Sequence, residues 1–105
     1  MYKDGRDWRN YAAKFLAINK ECYACGKPAT VVDHLKPHKG DEFLFKKTDN
    51  HIPLCTSCHN TVTSKFDRYY RQGDSIENKI KWLSRLRGVT DGWFPKKVKV
   101  LPSYP

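Results

Sequence analysis

The chain carries four cysteines in two Cys-x-x-Cys pairs, which are Cys22 with Cys25 and Cys55 with Cys58. Four thiolates are enough to close a tetrahedral site for structural zinc. The pairs bracket the dipeptide Asp33-His34, and His59 directly follows the last cysteine. Because sulfur alone would satisfy the zinc, the carboxylate and the two imidazoles remain free for other chemistry. A purely structural zinc ribbon has no need of them.

Disulfide bonds are the competing use of four cysteines. Residues 1–7 lack the apolar segment of a secretory signal, so we expect a cytoplasmic protein. Reducing compartments disfavour structural disulfides, and paired Cys-x-x-Cys motifs in that setting are typical of zinc sites. The cysteines therefore favour Zn²⁺ as a structural cofactor.

Length and charge limit the fold and the partner. The 105 residues fit one domain, 1–105, and a chain of this size buries little apolar surface. Zinc would compensate, because its binding contributes on the order of 10 kcal/mol to folding in finger peptides. The net charge of +9 predicts a polyanionic partner. Nucleic acid fits better than a membrane, since the sequence has neither a long apolar run nor a basic helix with a wide apolar face.

The apolar pattern predicts a first helix followed by a two-stranded hairpin. Apolar side chains recur at helical spacing over about residues 7–19, which predicts an amphipathic helix that packs on the core. Residues 30–34 and 50–54 are candidate strands of the hairpin. The connection 36–49 is rich in charge and predicts a long loop with no regular element of its own. Pro53 suits only an unpaired or terminal strand position.

Two further helices are predicted after the hairpin. Residues 59–70 have helical spacing, and Thr56 or Ser57 could cap that helix. Residues of about 75–87 predict a last helix that is apolar on one face. Its other face, by this prediction, carries Lys79, Lys81, Arg85 and Arg87. A solvated surface is the usual place for such charges. The tail 93–105 mixes aromatic residues with lysines.

The order of the motifs resembles that of HNH endonucleases of the zinc-ribbon type, which are often seen in phage and bacterial sequences. The residues that carry the resemblance are Cys22, Cys25, Asp33, His34, Pro37, Gly40, Asn50, Cys55, Cys58 and His59. The match covers roughly half of the chain, from Glu21 to about Lys65 within a motif core of 21–70, and the joint spacing is far more specific than any single motif. The resemblance implies a small α+β fold with a ββα-metal core, a Cys₄ zinc site and flanking helices at both termini.

The chemistry of the implied site assigns a role to each polar residue. Phosphodiester hydrolysis needs an activated water and neutralisation of charge on the phosphate. His34, with an ordinary pKa near 6.5, would be the general base. Neighbouring residues of a strand point to opposite sides, so Asp33 would face a divalent ion, with His59 as the second protein ligand. Oxygen and nitrogen donors with open positions for water and phosphate suit Mg²⁺ or Mn²⁺.

Asn50 matches the middle residue of the family motif and is expected to act as a brace. Its amide would bond the loop backbone and hold His34 in position, because an amide donates and accepts at once. His51 lies where the family usually has an aliphatic residue, so packing or surface exposure is the expected outcome there.

Four residues are candidates for contact with nucleic acid. His38 could touch a substrate phosphate, or it could be an exposed loop histidine with no role. Family members commonly place a lysine three or four residues after the final histidine, whereas the first lysine in this chain is Lys65. Lys96 and Lys97 lie beside aromatic residues in the tail, an arrangement that favours DNA contact over a solvated surface only slightly.

The sequence therefore predicts a metal-dependent endonuclease that cuts or nicks DNA. His34 is the expected base, Asn50 the orienting residue, and Asp33 and His59 the ligands of the catalytic ion. The alternative is a noncatalytic zinc-ribbon module that binds nucleic acid or protein. Such a module would retain zinc and bind DNA in a salt-sensitive way, without cleavage that depends on divalent ions.

Overall fold

The computed structural model of the protein describes residues 5–85 and 98–104. The elements follow in the order α1 (Gly5–Ile18), β1 (Val31–His34), α2 (Glu42–Lys46), β2 (His51–Leu54), α3 (Thr56–Lys65) and α4 (Glu77–Ser84). Single 3₁₀ turns lie at Thr48–Asn50 and Asp67–Tyr69. The architecture is the small α+β, ββα-metal type that the motif order predicts, with helices on both sides of the sheet.

The two strands form an antiparallel sheet, as predicted for the hairpin. Val31 lies opposite Leu54, and His34 lies opposite His51. The ladder continues past the strands, since the Leu35 amide donates to the Asn50 carbonyl at 2.8 Å. This register places the end of β1 beside the start of β2, so polar residues from both segments meet there.

The backbone nitrogen and carbonyl of Pro53 lie on the edge of β2 that faces away from β1. Its carbonyl accepts from the Tyr23 amide at 2.8 Å, so this residue's backbone groups point outward from the two-stranded ladder. The missing N–H of proline therefore removes no bond between the strands. The contact also joins the first cysteine pair to β2.

The connection between the strands is not a plain loop, so that prediction was wrong. Helix α2 forms because the Asp41 side chain accepts from the amides of Phe43 and Leu44, which caps the helix start. Phe45 is buried by the resulting turn, whereas Phe43 remains 69% exposed. Lys39 and Gly40, which precede the cap, form a turn with positive φ at both residues. The helix starts directly after this turn because Asp41 caps it.

Helix α1 packs as predicted, with Tyr11 and Phe15 buried in the core. Its C-terminal end is tied to the last described segment. The Asn19 side-chain amide donates to the Lys99 carbonyl at 2.9 Å and accepts from the Lys99 amide at 2.8 Å. Val98 joins the same core. The predicted tail of 93–105 therefore returns to α1 at least over its described residues, 98–104.

Helix α3 begins earlier and ends earlier than predicted. It starts at Thr56 and ends at Lys65, and the cap is neither Thr56 nor Ser57. Instead, the sulfur of Cys55 accepts from the Cys58 amide at 3.4 Å. Helix α4 is also shorter than the predicted 75–87, although residues 86 and 87 lie outside the described part of the chain.

The four cysteine sulfurs gather where the loop before β1 meets the start of α3. Their atoms all lie within 4.8 Å of one another, and the Cys25 and Cys55 sulfurs are 3.7 Å apart. A zinc ion with bonds of about 2.3 Å separates tetrahedral thiolates by about 3.8 Å, so the cluster suggests a zinc site. Gly26, with φ of +83°, provides the turn that ends the first pair.

No helix in the described residues, 5–85 and 98–104, has the length and the apolar character to cross a membrane.

Replacement of one ligand of the cysteine cluster should unfold or loosen the protein. Cys58→Ser leaves three thiolates around the ion and should lower zinc content and the thermal midpoint together, because structural zinc supplies folding free energy. Zinc per chain is measured by a colorimetric chelator, and unfolding by circular dichroism. Ser57→Ala, at an exposed neighbouring position, is the control. Full zinc content and an unchanged midpoint in Cys58→Ser would contradict the assignment.

Candidate active site

The end of β1 and the first turn of α3 bring Asp33 and His59 together. The Asp33 Oδ1 and His59 Nδ1 atoms are 3.1 Å apart, although the residues are 26 positions apart in sequence. His59 reaches this position because α3 starts at the second cysteine pair, and its amide donates to the Cys55 carbonyl at 2.9 Å. The cysteine cluster and the acid-imidazole pair are thus consecutive features of one helix start.

The Asp33 carboxylate is buried between His59 of α3 and Lys79 of α4. Burial alone would raise the pKa of this carboxyl, but the hydrogen bond from His59 and the charge of Lys79 together hold the pKa below its ordinary value. The same contact with Asp33 raises the pKa of His59, against a smaller opposing effect of burial. The carboxylate is therefore charged at neutral pH.

Asp33 and His59 fit the ligand set of a hard divalent ion. Adjacent ligands of an octahedral ion with bonds of about 2.1 Å are separated by about 3 Å. The 3.1 Å between the carboxylate oxygen and the imidazole nitrogen is a hydrogen bond in this structure, and it equals that spacing, so both atoms could bind one ion once Nδ1 has lost its proton. One oxygen and one nitrogen donor leave most positions of such an ion for water and phosphate.

His34 occupies the opposite side of the strand, among aromatic rings. Its ring stacks on Trp8 of α1, with centroids 5.4 Å apart and an interplanar angle of 15°. Phe45 lies on it at 5.0 Å. Burial, followed by the charge of the nearby His51, lowers the pKa of His34 to about 3. The ring is therefore neutral at physiological pH.

The neutral His34 ring has a defined tautomer. Its Nε2 lies 3.1 Å from the Phe45 carbonyl oxygen, which can only accept, so Nε2 carries the proton. The lone pair is then on Nδ1, which has no hydrogen-bond partner among the described residues. A neutral imidazole with an open lone pair is the form that a general base requires.

His51 is packed, and it holds the group that orients His34. Its side chain is fully buried. Its Nε2 donates to the same Phe45 carbonyl at 2.8 Å, and its Nδ1 accepts from the Tyr11 hydroxyl at 2.6 Å. The position that the sequence left open between packing and exposure is therefore a buried link from Tyr11 of α1 to the carbonyl that His34 binds.

Asn50 lies buried immediately before β2 and bonds both sides of the connection between the strands. Its Oδ1 accepts from the Lys36 amide at 2.9 Å, and its Nδ2 donates to the Lys36 carbonyl at 2.9 Å. Nδ2 also donates to the Leu44 carbonyl at 3.3 Å. These bonds hold the backbone two residues after His34 and one residue before Phe45, the two residues that the His34 hydrogen bond joins.

Lys79 is the site residue that sequence reasoning missed. It was assigned to a solvated face of the last helix, yet its side chain is only 2% exposed and its Nζ lies 3.0 Å from Asp33 Oδ2. The sequence did contain a pattern that indicates burial of Lys79. Lys79 stands three residues after Ile76 and four before Leu83, so it belongs to the apolar face of the helix.

The candidate nucleic-acid contacts are spread around the site. The His38 ring lies 4.7 Å from the His34 ring and is half-buried. Lys65 is exposed at the end of α3. It lines a groove of about 190 Å³ together with Asp67 and Lys79. Lys96 and Lys97, also candidates, lie outside the described residues.

Asn50→Asp should destabilise the protein, because a carboxylate cannot donate to the two carbonyls that the amide now satisfies. Leaving buried carbonyls unpaired beside a buried charge should lower the free energy of unfolding by about 2 kcal/mol or more. Urea denaturation of the zinc-loaded protein measures this free energy of unfolding. The matched control is Asn60→Asp, at an exposed position of α3, where the expected change is within about 0.5 kcal/mol. An equal loss of unfolding free energy in the two variants would contradict the role of Asn50 as a brace.

The depressed pKa of His34 makes stability depend on pH in a defined direction. The unfolded state binds a proton at His34 below about pH 6.5, whereas the folded state stays neutral down to about pH 3. Stability is therefore lost as pH falls through this window. From pH 7.0 to 5.5 the wild type should lose about 1 kcal/mol more than His34→Ala, by urea denaturation. The other titrating groups are common to both proteins, so identical pH dependence would show that His34 is not buried neutral.

Comparison with known proteins agrees with this geometry. The family model described as HNH endonuclease matches residues 22–65. That segment runs from the first cysteine to the last residue of α3, and it contains Asp33, His34, Asn50 and His59. Searches of the curated proteins and of the solved structures gave no match. Residues 22–65 of the chain therefore match an HNH endonuclease domain.

Proposed function

We propose that this protein is a metal-dependent endonuclease that hydrolyses DNA phosphodiester bonds, with His34 as the general base. The observation that carries the proposal is the state of His34, a neutral imidazole whose Nδ1 lone pair has no partner among the described residues. The next residue back along the strand, Asp33, lies 3.1 Å from His59 on the other face of the sheet. Base and ion ligands are thus adjacent in sequence and separated by the strand.

The Phe45 carbonyl can accept a hydrogen bond from His34 both before and after the proton transfer. When Nδ1 takes a proton from the attacking water, the imidazolium that forms still donates from Nε2 to this carbonyl. The carbonyl dipole then stabilises the positive charge that develops on the ring. Asn50 and His51 fix the backbone and the carbonyl, so the ring does not need to reorient during proton transfer.

Asp33 and His59 would hold the divalent ion, for which Mg²⁺ and Mn²⁺ are the candidates. When bound, such an ion neutralises charge on the phosphate oxygens and assists the departing oxygen. The residues themselves contribute a charged carboxylate and an imidazole at fixed separation. Asp33 is kept charged by its partners, so it is ready to bind a cation at neutral pH.

DNA is the proposed substrate because the protein is strongly basic and the family is one of endonucleases. The net charge of +9 favours association with a polyanion. Lys65 supplies an exposed cation beside the groove at Asp67 and Lys79. His38, next to the base, is in a position to touch a phosphate near the scissile bond.

Supercoiled plasmid provides the test, with nicked and linear products resolved on a gel. The wild type should convert plasmid in Mg²⁺ or Mn²⁺ and not in excess chelator. His34→Ala should be slower by about 10²- to 10⁴-fold, because it removes the base. The control Thr63→Ala changes an exposed residue of α3 and should cleave at the wild-type rate.

Two results would contradict the proposal. Equal cleavage by wild type and His34→Ala would remove the base assignment. Salt-sensitive DNA binding with no cleavage in any divalent ion would instead favour a noncatalytic zinc-ribbon module.

A further inference from the structure

Lys79 is surrounded by three oxygen acceptors. Its Nζ lies 3.0 Å from Asp33 Oδ2, 2.9 Å from Asp67 Oδ1 and 2.8 Å from the His34 carbonyl oxygen. The ammonium donates hydrogen bonds to Asp33 Oδ2 and to the His34 carbonyl, whereas its contact with Asp67 Oδ1 is an ion pair without hydrogen-bond geometry. The side chain is 2% exposed, which is unusual for lysine. The group is thus a built contact and not a surface charge.

The location of the contact links it to the proposed chemistry. A buried lysine is costly unless it is paired, and replacing a buried ion pair by apolar residues often leaves stability unchanged or increased. Stability alone is therefore a weak reason for three charged groups at this point. Lys79 binds the carboxylate of Asp33, which is the proposed ion ligand, and the backbone carbonyl of His34, which is the proposed base.

The two oxygens of Asp33 have different partners. Oδ1 faces His59 at 3.1 Å, and Oδ2 faces Lys79 at 3.0 Å. A carboxylate held in this way presents only Oδ1 toward the side where His59 offers its nitrogen. The ammonium also places a positive charge next to the carboxylate, which weakens its attraction for a cation.

We propose that Lys79 is a positioning residue that restricts Asp33 to one ligating oxygen and lowers the affinity of the site for its divalent ion. The inference rests on the proposed function. Its consequence is that more coordination positions stay open for water and phosphate. By binding the His34 carbonyl, Lys79 also fixes the backbone between ion ligand and base. Asp67 supplies the second negative charge, which keeps the buried lysine compensated.

Lys79→Met tests this inference because it keeps the length of the side chain and removes the charge. Titration calorimetry should show Mn²⁺ binding about tenfold tighter, because a positive charge near the site is gone. Plasmid cleavage at saturating Mn²⁺ should be at least about tenfold slower, because Asp33 and the His34 backbone lose their anchor. A merely structural defect would weaken both properties together.

Lys81→Met is the matched control. It makes the same substitution on the same helix, but the Lys81 side chain is 69% exposed and, within the described part of the chain, forms an ion pair with Glu77. Its Mn²⁺ affinity and cleavage rate should both stay within about twofold of the wild type. Lys79→Met values equal to those of this control would overturn the inference.

The double variant Lys79→Met with Asp67→Asn separates charge from position. It removes one positive and one negative charge, so Mn²⁺ affinity should return to within about threefold of the wild type. Cleavage should stay low, since nothing holds Asp33 Oδ2. Recovery of wild-type cleavage would overturn the inference. Folding of Lys79→Met is judged by zinc content and circular dichroism. If that variant does not fold, the Mn²⁺ affinity and the cleavage rate of the double variant provide the test instead.

Failure of the inference can be told apart from failure of the proposed function. A wild type that neither binds Mn²⁺ nor cleaves plasmid removes the proposed function, and this inference with it. A wild type that does both, with Lys79→Met unchanged or weaker in Mn²⁺ binding, removes only the role of Lys79.

Discussion

The gathering of four cysteine sulfurs at one point is the constraint on which the remaining structure depends. One pair precedes β1 and the other begins α3, so the cluster ties the start of the hairpin to its end. A two-stranded sheet is marginal by itself, and in a chain of 105 residues little other apolar burial is available. Fixing the start of α3 also fixes His59, which then meets Asp33 without any further adjustment.

The strand that carries Asp33 and His34 divides the site into two environments. On one face, Asp33 is buried among cations and hydrogen-bond donors, which lower its pKa and keep it charged. On the other face, His34 is enclosed by rings, which lower its pKa and keep it neutral. Alternation along a strand achieves this separation over a single peptide unit. Two titratable groups with such different surroundings are typical of sites where one residue binds charge and the other moves protons.

The hydrogen-bonded supports of these two residues come from distant parts of the chain. His51 on β2 binds the Phe45 carbonyl that orients His34, and Tyr11 on α1 in turn binds His51. Lys79 on α4 holds Asp33 from 46 residues away. Both helices that flank the ββα core therefore contribute to the site. Their role extends beyond covering apolar surface, and the site is as rigid as the packing between these elements allows.

The cysteine pairs, the acid-histidine dipeptide, the hairpin and the first helix could be predicted from the sequence, because spacing and period are local properties. Helix α2 was missed although its cap, Asp41, was visible, since nearby charges and Gly40 indicated a loop. His51 and Lys79 depended on tertiary structure. Whether a polar side chain is buried depends on which distant acceptors meet it, and no local pattern states where Asp33, Asp67 and the Phe45 carbonyl will lie once the chain has folded.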